Sequence, residues 1–168
     1  MICPKKGLYM SPLKARSSHD SAKMNGSACK QQAVKFLEKR TVHMNAMAKQ
    51  IWETPELSLE ESRSSSILVE ELKEAGFQVE TGLAGLPTSF EARWGKGKPE
   101  IGILAEYDAV PNCGPKKTDN GHGCGHNLFG TASVSAGIAV KEIMEKNRLR
   151  GTVRVFGTPA EEILYGKV

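Results

Sequence analysis

Residues 101–105 read IGILA and are followed directly by EYDAVP at 106–111. A short run that is apolar at every position is typical of a strand whose sheet is covered on both faces, so we predict a central strand here. Two acidic residues, Glu106 and Asp108, stand just past its end. Because functional sites of α/β sheets collect beyond the carboxyl ends of strands, this junction is the first place to expect chemistry.

Further elements are predicted on both sides of this strand by the spacing of apolar residues. Alternation of apolar and polar residues predicts three more strands, at 77–81, 90–94 and 152–156. Spacings of three, four and seven predict helices at 31–51 and 127–146. Small residues crowd the early turns of the later helix and permit a close approach to a sheet. The order of these elements predicts an α/β layered domain.

Turn and capping signals mark one more helix, before the first predicted strand. Thr54 and Pro55 end the helix at 31–51, since the residue before a proline is pushed out of helical geometry. Ser58 and Glu61 then have the spacing of a capping box, in which the two side chains bond backbone amides of the first turn. We predict that a second helix begins here and is closed by Gly76.

Length and composition describe an ordinary globular chain. Its 168 residues suit one domain or part of a larger one, and its 39% hydrophobic and 25% charged residues exclude collagen-like, low-complexity and disulfide-scaffold classes. No apolar run approaches the roughly 20 residues that a membrane span needs, and no export signal is present. A cytoplasmic location with free thiols is therefore expected, and a Cys113–Cys124 bridge is the less favoured alternative.

The net charge of +4 is concentrated at the start of the chain. Residues 1–30 hold six basic residues and one acidic residue, which leaves the remainder at −1. We expect a disordered basic tail at 1–30 and a domain at 31–168. Since the body of the chain is not basic and has few aromatic residues for base stacking, no nucleic-acid partner is expected.

The loop GHGCGHN at 121–127 carries a first candidate site. In an extended loop, Cys124 and His126 point the same way and could reach one ion, and thiolate and imidazole are both good zinc ligands. The competing interpretation, a glycine-rich turn with a structural cysteine, is about equally favoured by this pair alone. His122 contacts substrate or hydrogen-bonds within the loop, and the sequence does not separate the two.

The acids near Pro159 and Asp108 add a second kind of chemistry. In GTPAEE at 157–162, one of Glu161 and Glu162 could bind a metal while the other takes a proton from water, unless the two are simply a solvated pair. Asp108 could orient a ligand histidine or cap a turn. A cysteine hydrolase, with Cys124 activated by His122 or His126, is a rival, although nearby carboxylates would raise the pKa of that thiol.

Taken together, these stretches resemble the metallo-amidohydrolases related to aminoacylase, indole-acetyl-amino-acid hydrolases and p-aminobenzoyl-glutamate hydrolase. The segments 106–111, 122–127 and 157–162 carry the resemblance, and 52–57 with Glu61 and 85–90 resemble the same family more loosely. The resemblance implies a zinc-exopeptidase-like α/β domain, with a mixed sheet and flanking helices, that hydrolyses an amide bond in an N-acyl amino acid or small dipeptide.

The resemblance also implies a role for each site residue. Cys124, His126 and Glu162 would bind the metal, zinc or alternatively manganese, Glu161 would be the general base, and Asp108 would orient a ligand. Members of the family have further ligand histidines and a lid domain downstream, which these 168 residues do not contain. We therefore expect an amino-terminal part of the catalytic domain with little activity alone, and a homodimer only for a form that has the lid. The alternative is a non-catalytic protein of this fold with a structural or vestigial metal site.

Overall fold

A computed structural model describes residues 26–164. Its helices and strands follow the order that the sequence predicts. The helices are α1 at Gly26–Trp52, α2 at Ser62–Glu74, α3 at His126–Lys146 and α4 at Glu161–Leu164. The strands are β1 at Gln78–Thr81, β2 at Phe90–Lys96, β3 at Glu100–Ala105 and β4 at Gly151–Gly157, with a short 3-10 helix at Leu83–Gly85. Within the described range, no helix is both long and apolar enough to cross a membrane.

Helix α1 begins at Gly26, five residues before the predicted boundary at residue 31. The prediction followed the apolar stripe, whereas Ala28 and Lys30 extend the helix because they are strong helix formers without being part of that stripe. The remainder of the predicted disordered tail, residues 1–25, lies outside the described residues.

The strands form one mixed sheet in the order β1-β2-β4-β3. Strand β2 pairs antiparallel with β1 and with β4, and β4 pairs parallel with β3. The register places Ala105 beside Gly157, so β3 and β4 end at the same level. The predicted α/β class with a mixed sheet and flanking helices is confirmed.

The predicted central position of β3 is wrong for the described part of the chain. Strand β4 comes later in sequence but lies between β2 and β3, which leaves β3 at the edge of the sheet. Ile101 is 55% exposed and Leu104 is 41% exposed. An apolar run reports that a strand suits burial, but it does not report which other strands flank it.

The hydrophobic core lies between the sheet and the helices. Its fully buried members come from α1, α2, α3 and three strands, and they include Ile51, Leu68, Leu72, Val134, Phe90, Val153 and Val155. A methyl group added at Gly137 would lie 2.5 Å from Cγ2 of Val155. The predicted close approach of α3 to the sheet is therefore confirmed, because α3 has no side chain at this contact.

The predicted capping box at the start of α2 is wrong. Glu61 occupies the N-cap position without a capping hydrogen bond, and Ser58 donates its hydroxyl to Asp108 instead. The carboxylate of Glu56 caps the helix, since it accepts the backbone N–H groups of Arg63 at 2.9 Å and Ser64 at 2.8 Å. The tertiary partners of Ser58 and Glu61 outweigh the local pattern.

Candidate metal centre

The candidate site forms where β3, β4 and α3 meet. Glu106 and Asp108 follow β3, His126 opens α3, and Glu161 and Glu162 open α4 after β4. The backbone N–H of Thr158 donates to the carbonyl of Ala105 at 2.9 Å, which continues the pairing of the two parallel strands past their ends. The two connections are thus held side by side at one edge of the sheet, the place where α/β sheets collect functional groups.

His126 lies at the centre of this group and is buried. Its Nδ1 is 2.8 Å from Oδ1 of Asp108, while its Nε2 is 3.3 Å from Oε2 of Glu106 and 3.9 Å from Oε2 of Glu161. Burial alone would lower the pKa of His126, but the hydrogen bond and charge of Asp108, with the charges of Glu106 and Glu162, raise it above the ordinary value. Since an ionised carboxylate only accepts, Nδ1 carries the proton and Nε2 faces the other carboxylates.

Asp108 connects the three parts of the site. It is buried, and its Oδ2 accepts the hydroxyl of Ser58 at 2.8 Å and the backbone N–H of Glu162 at 3.0 Å. Burial would raise the pKa of Asp108, but the bonds from His126, Glu162 and Ser58 outweigh it and hold this pKa below its usual value. An ionised Asp108 therefore fixes the orientation of His126 and the start of α4 together.

Cys124 lies beside Glu162, on the exposed side of the site. The neighbouring Glu162 carboxylate, followed by burial and the charges around it, raises the pKa of Cys124 to about 11. The connection between Cys124 and His126 is not extended as the sequence argument assumed, because Gly125 has a φ of 82° and a left-handed conformation. Glu162 joins the two residues instead, since its Oε1 lies 3.8 Å from Nδ1 of His126.

The donor set fits a divalent cation. Oε1 of Glu162 is buried without a hydrogen-bond partner, which is a costly state for a carboxylate oxygen. Ligand atoms of Glu106, His126 and Glu161 lie within 4.8 Å of one another. A cation here would provide the missing partner of Glu162, offset the gathered negative charge and stabilise Cys124 as a thiolate.

Glu106 is the site residue that the sequence prediction missed. The predicted ligands Cys124 and Glu162 lie next to each other, but the compact group around Nε2 of His126 contains Glu106 and Glu161. The signal was present in the sequence, because Glu106 and Asp108 are two positions apart just after a strand and can point toward the same side. Here the two carboxylates contact the two nitrogens of one imidazole.

His122 faces away from this group. Its Nε2 is 3.2 Å from the carbonyl oxygen of Ile51, and burial lowers its pKa. The side chain therefore ties the loop to α1, and of the two predicted roles for His122 the structure shows a hydrogen bond, made to α1 and not within the loop.

The same three connections identify the family by comparison with known proteins. Residues 102–167 match the profile of peptidase family M20/M25/M40, and this segment contains all the residues of the candidate site. The chain belongs to this family. The predicted relationship to the metallo-amidohydrolases is thereby confirmed, and the curated relatives of this M20 chain are hydrolytic enzymes.

Individual relatives support the assignment. The M20 chain is 44% identical over 131 residues to a p-aminobenzoyl-glutamate hydrolase from Escherichia coli, a match that covers 72% of the chain and 27% of the relative. It is 32% identical to the Xaa-Arg dipeptidase of Mus musculus over 152 residues, 83% of the chain and 33% of the relative. It thus spans between about a quarter and a third of the length of these two enzymes.

A solved structure shows the same fold. The chain superimposes on a dinuclear metal-binding peptidase of family M20 from Bacillus subtilis with a TM-score of 0.61 and 28% sequence identity. The match covers 74% of this chain and 36% of that one. The M20 fold and a family of metal-dependent peptidases are therefore common to both.

Proposed function

We propose that this chain carries the metal-binding and proton-transferring part of a hydrolase that cleaves an amide bond in an N-acyl amino acid or a small dipeptide. The observation that carries the proposal is the arrangement around His126, which Asp108 holds at 2.8 Å through Nδ1 while carboxylates surround Nε2. A carboxylate behind a histidine is the arrangement that orients a metal ligand and increases its basicity.

Cys124, His126 and Glu162 are the proposed metal ligands, and Glu106 is placed to add a fourth donor. When bound, a divalent metal, zinc or alternatively manganese, would supply Lewis-acid polarisation of the scissile carbonyl and lower the pKa of a water. Asp108 keeps the proton of His126 on Nδ1, so the Nε2 lone pair points into the site. The bond from the amide of Glu162 to Asp108 holds the carboxylates of α4 at the same place.

Glu161 is the proposed general base. Its carboxylate is partly exposed and its Oε2 lies 3.9 Å from Nε2 of His126, at the open side of the donor group. From that position it can accept a proton from the attacking water and deliver it to the leaving nitrogen. Because Glu161 and Glu162 are neighbours in the first turn of α4, one helix start positions both the base and a ligand.

The substrate class rests on the relatives. Their names give p-aminobenzoyl-glutamate for the Escherichia coli protein and Xaa-Arg dipeptides for the mouse protein. Both substrates contain an amide bond to an amino acid, so a small amide with a free carboxylate is the class to test for this chain. A cytoplasmic location, a homodimer formed through a lid domain and low activity of the 168-residue chain stay predictions.

The geometry disfavours a cysteine hydrolase. A nucleophilic cysteine needs a lowered pKa and a histidine that is available to take its proton. Here the carboxylate of Glu162 lies beside Cys124 and raises the pKa of its thiol, and Nδ1 of His126 is committed to Asp108. Cys124 is therefore better suited to ligating a metal than to attacking a carbonyl in the metal-free site.

Metal binding and hydrolysis test the proposal together. Zinc bound per chain is measured by elemental analysis after dialysis, and hydrolysis is followed on a panel of N-acetyl amino acids and dipeptides with and without a chelator. We expect zinc binding to be lost in His126→Ala and kept in the control His43→Ala, whose side chain is 53% exposed on α1. Equal zinc content in both variants, or turnover that survives the chelator, would contradict the proposal.

A further inference from the structure

We propose that Cys113 and Cys124 form a reversible disulfide under oxidising conditions, which removes the Cys124 thiol from the candidate metal centre. The chemistry concerns two side chains of one loop, and Cys113 has no role in the proposed hydrolysis. Both cysteines are free thiols in the structure and both are exposed, so a small oxidant can reach either of them.

The backbone between the two cysteines folds back on itself. Val110 and Gly121 exchange both backbone hydrogen bonds, at 2.9 and 3.0 Å, in an antiparallel bridge. Further into the loop, the N–H of Gly114 donates to the carbonyl of Asp119 at 2.9 Å. These bonds hold the segment that contains Cys113 against the segment that leads to Cys124, although 11 positions separate the two residues.

The side chain of Cys113 lies against the residue that precedes Cys124. A methyl group built on Gly123 would be 2.9 Å from Cβ of Cys113 and 3.3 Å from its Sγ. Only a glycine leaves room for the Cys113 side chain at this point. Cys113 is also one of the groups whose charge raises the pKa of Cys124, so the two thiols interact electrostatically as well.

The loop can provide the remaining adjustment. A disulfide requires the two Cα atoms to be about 4.4–6.8 Å apart, with a defined torsion about the sulfur atoms. Gly123 and Gly125 flank Cys124, and glycine adopts backbone conformations that other residues reach only with strain. The exposed Cys124 can therefore turn toward Cys113 without moving the buried His126.

A peroxide is the proposed oxidant, and Cys113 is the thiol that reacts first. Its thiolate attacks one oxygen of the peroxide, the O–O bond breaks, and a sulfenic acid and one water (or alcohol) form. The sulfur of Cys124 then attacks that sulfenic sulfur, its proton leaves with the hydroxyl group as water, and the S–S bond forms. Two thiols lose two electrons to one peroxide, and a dithiol reductant reverses the change by exchange.

The consequence for the metal rests on the proposed function. A cysteine in a disulfide has no thiolate to donate, so oxidised protein would keep His126 and Glu162 but lose the third proposed ligand. Loss of a ligand is expected to weaken zinc binding by at least about tenfold, the lower end of the range for disturbed metal sites. A bound zinc, in turn, would protect Cys124 from oxidation.

Peptide mapping of the full 168-residue chain tests the disulfide without any assay of hydrolysis. Metal-free protein is treated with hydrogen peroxide, free thiols are alkylated, and the digest is analysed by mass spectrometry without reductant. We expect one cross-linked peptide pair that contains Cys113 and Cys124, which disappears after treatment with dithiothreitol. Preloading with zinc should reduce its yield, and oxidation should weaken zinc binding by about tenfold or more.

Two variants distinguish this disulfide from general oxidation. Cys113→Ser should abolish the cross-link and keep zinc binding after mild peroxide treatment, while Cys29→Ser, altered on α1, should behave as the wild type. Recovery of Cys113 and Cys124 as separate peptides after oxidation, or pairing of Cys124 with another cysteine, would overturn the proposal. A cross-link that forms in a chain that never binds zinc would support the disulfide and reject the proposed function, so the two failures are distinguishable.

Discussion

The carboxylate of Glu61 accepts a hydrogen bond from the backbone N–H of Ala160, with 2.8 Å between Oε1 and the nitrogen, although 99 positions separate the two residues. The other oxygen of Glu61 accepts the hydroxyl of Thr88 at 2.8 Å, and the side chain is fully buried. Ala160 has a φ of 57°, a conformation that non-glycine residues adopt only with support. The start of α2 therefore holds the backbone immediately before Glu161 and Glu162.

Glu61→Ala should destabilise the chain. The substitution leaves the buried N–H of Ala160 and the hydroxyl of Thr88 without their acceptor, and we expect a loss of about 2–4 kcal/mol in the free energy of unfolding. Urea denaturation followed by circular dichroism measures it. Glu60→Ala, at the adjacent exposed position, is the matched control and should change stability by less than about 0.5 kcal/mol. Similar losses in the two variants would show that the buried contacts of Glu61 contribute little.

Asp108→Asn should weaken metal binding while the fold remains. An amide in place of the carboxylate no longer holds the proton of His126 on Nδ1 by charge, so the ligand nitrogen is less well oriented. We expect zinc affinity to fall by about 10–100-fold, measured by competition with a chromogenic chelator. Ser58→Ala removes one hydrogen bond to the same carboxylate and should have a smaller effect. Unchanged affinity in Asp108→Asn would contradict the orienting role.

The Asp108–His126 pair should give the metal-free chain a stability maximum in mildly acidic solution. The pKa of Asp108 is lowered from 3.8, so its contribution is fully present above pH 3.8 and is lost as the pH falls through the lower folded value. The pKa of His126 is raised from 6.5, so its contribution is fully present below pH 6.5 and is lost as the pH rises through the higher folded value. Both contributions are complete between these limits.

Urea denaturation across this pH range, with a chelator present, measures the effect. The difference in stability between the wild type and Asp108→Asn should be largest between pH 3.8 and 6.5 and should shrink on both sides. A difference that does not vary with pH would mean that the pair contributes no charge-dependent stability.

The contact between α3 and β4 predicts a destabilising Gly137→Ala. Alanine favours helices over glycine by about 1 kcal/mol, but the added methyl would lie 2.5 Å from Cγ2 of Val155 in the core. Overpacking of this kind costs about 1–3 kcal/mol, so the net change should be a loss of stability. Gly26→Ala, where no atom lies within 4 Å of the new methyl, is the control and should not destabilise the chain. A stabilised Gly137→Ala would show that the core yields at this point.

The contrast between what the sequence predicted and what it missed has a physical cause. Periodicity predicted the helices and strands because it reflects burial of one face of each element. Ser58 and Glu61 have the local spacing of a capping box, but their actual partners, Asp108 and Ala160, are 50 and 99 positions away. Likewise, the edge position of β3 depends on β4 pairing between β2 and β3, which spacing within β3 does not reveal.

The site shows the same limit. Cys124, His126, Glu161, Glu162 and Asp108 could be selected because their residue types suit metal chemistry, whereas Glu106 was passed over. Its place depends on the approach of α3 to β3, and a methyl group at Gly130 would lie 2.6 Å from the carbonyl oxygen of Glu106. Such a contact is a property of packed elements and not of the sequence around either residue.

Glu161→Gln and Glu162→Gln should separate the two proposed roles in α4. Glu162 has a buried oxygen without a hydrogen-bond partner, and it lies beside Cys124. Its replacement should therefore lower zinc affinity by at least about tenfold. Glu161 lies at the open side of the donor group, so Glu161→Gln should keep most of the zinc but lower any chelator-sensitive turnover by about 10²–10⁴-fold, the usual contribution of a general base.

Zinc titration and initial-rate measurements on the same preparations give both quantities. The two variants differ from the wild type by the same change of one carboxylate to an amide, at adjacent positions of one short helix, so each controls for the other. If Glu161→Gln lost zinc as strongly as Glu162→Gln, Glu161 would be a ligand together with Glu106 and His126, whose ligand atoms lie within 4.8 Å of its own, and the base would have to be sought elsewhere.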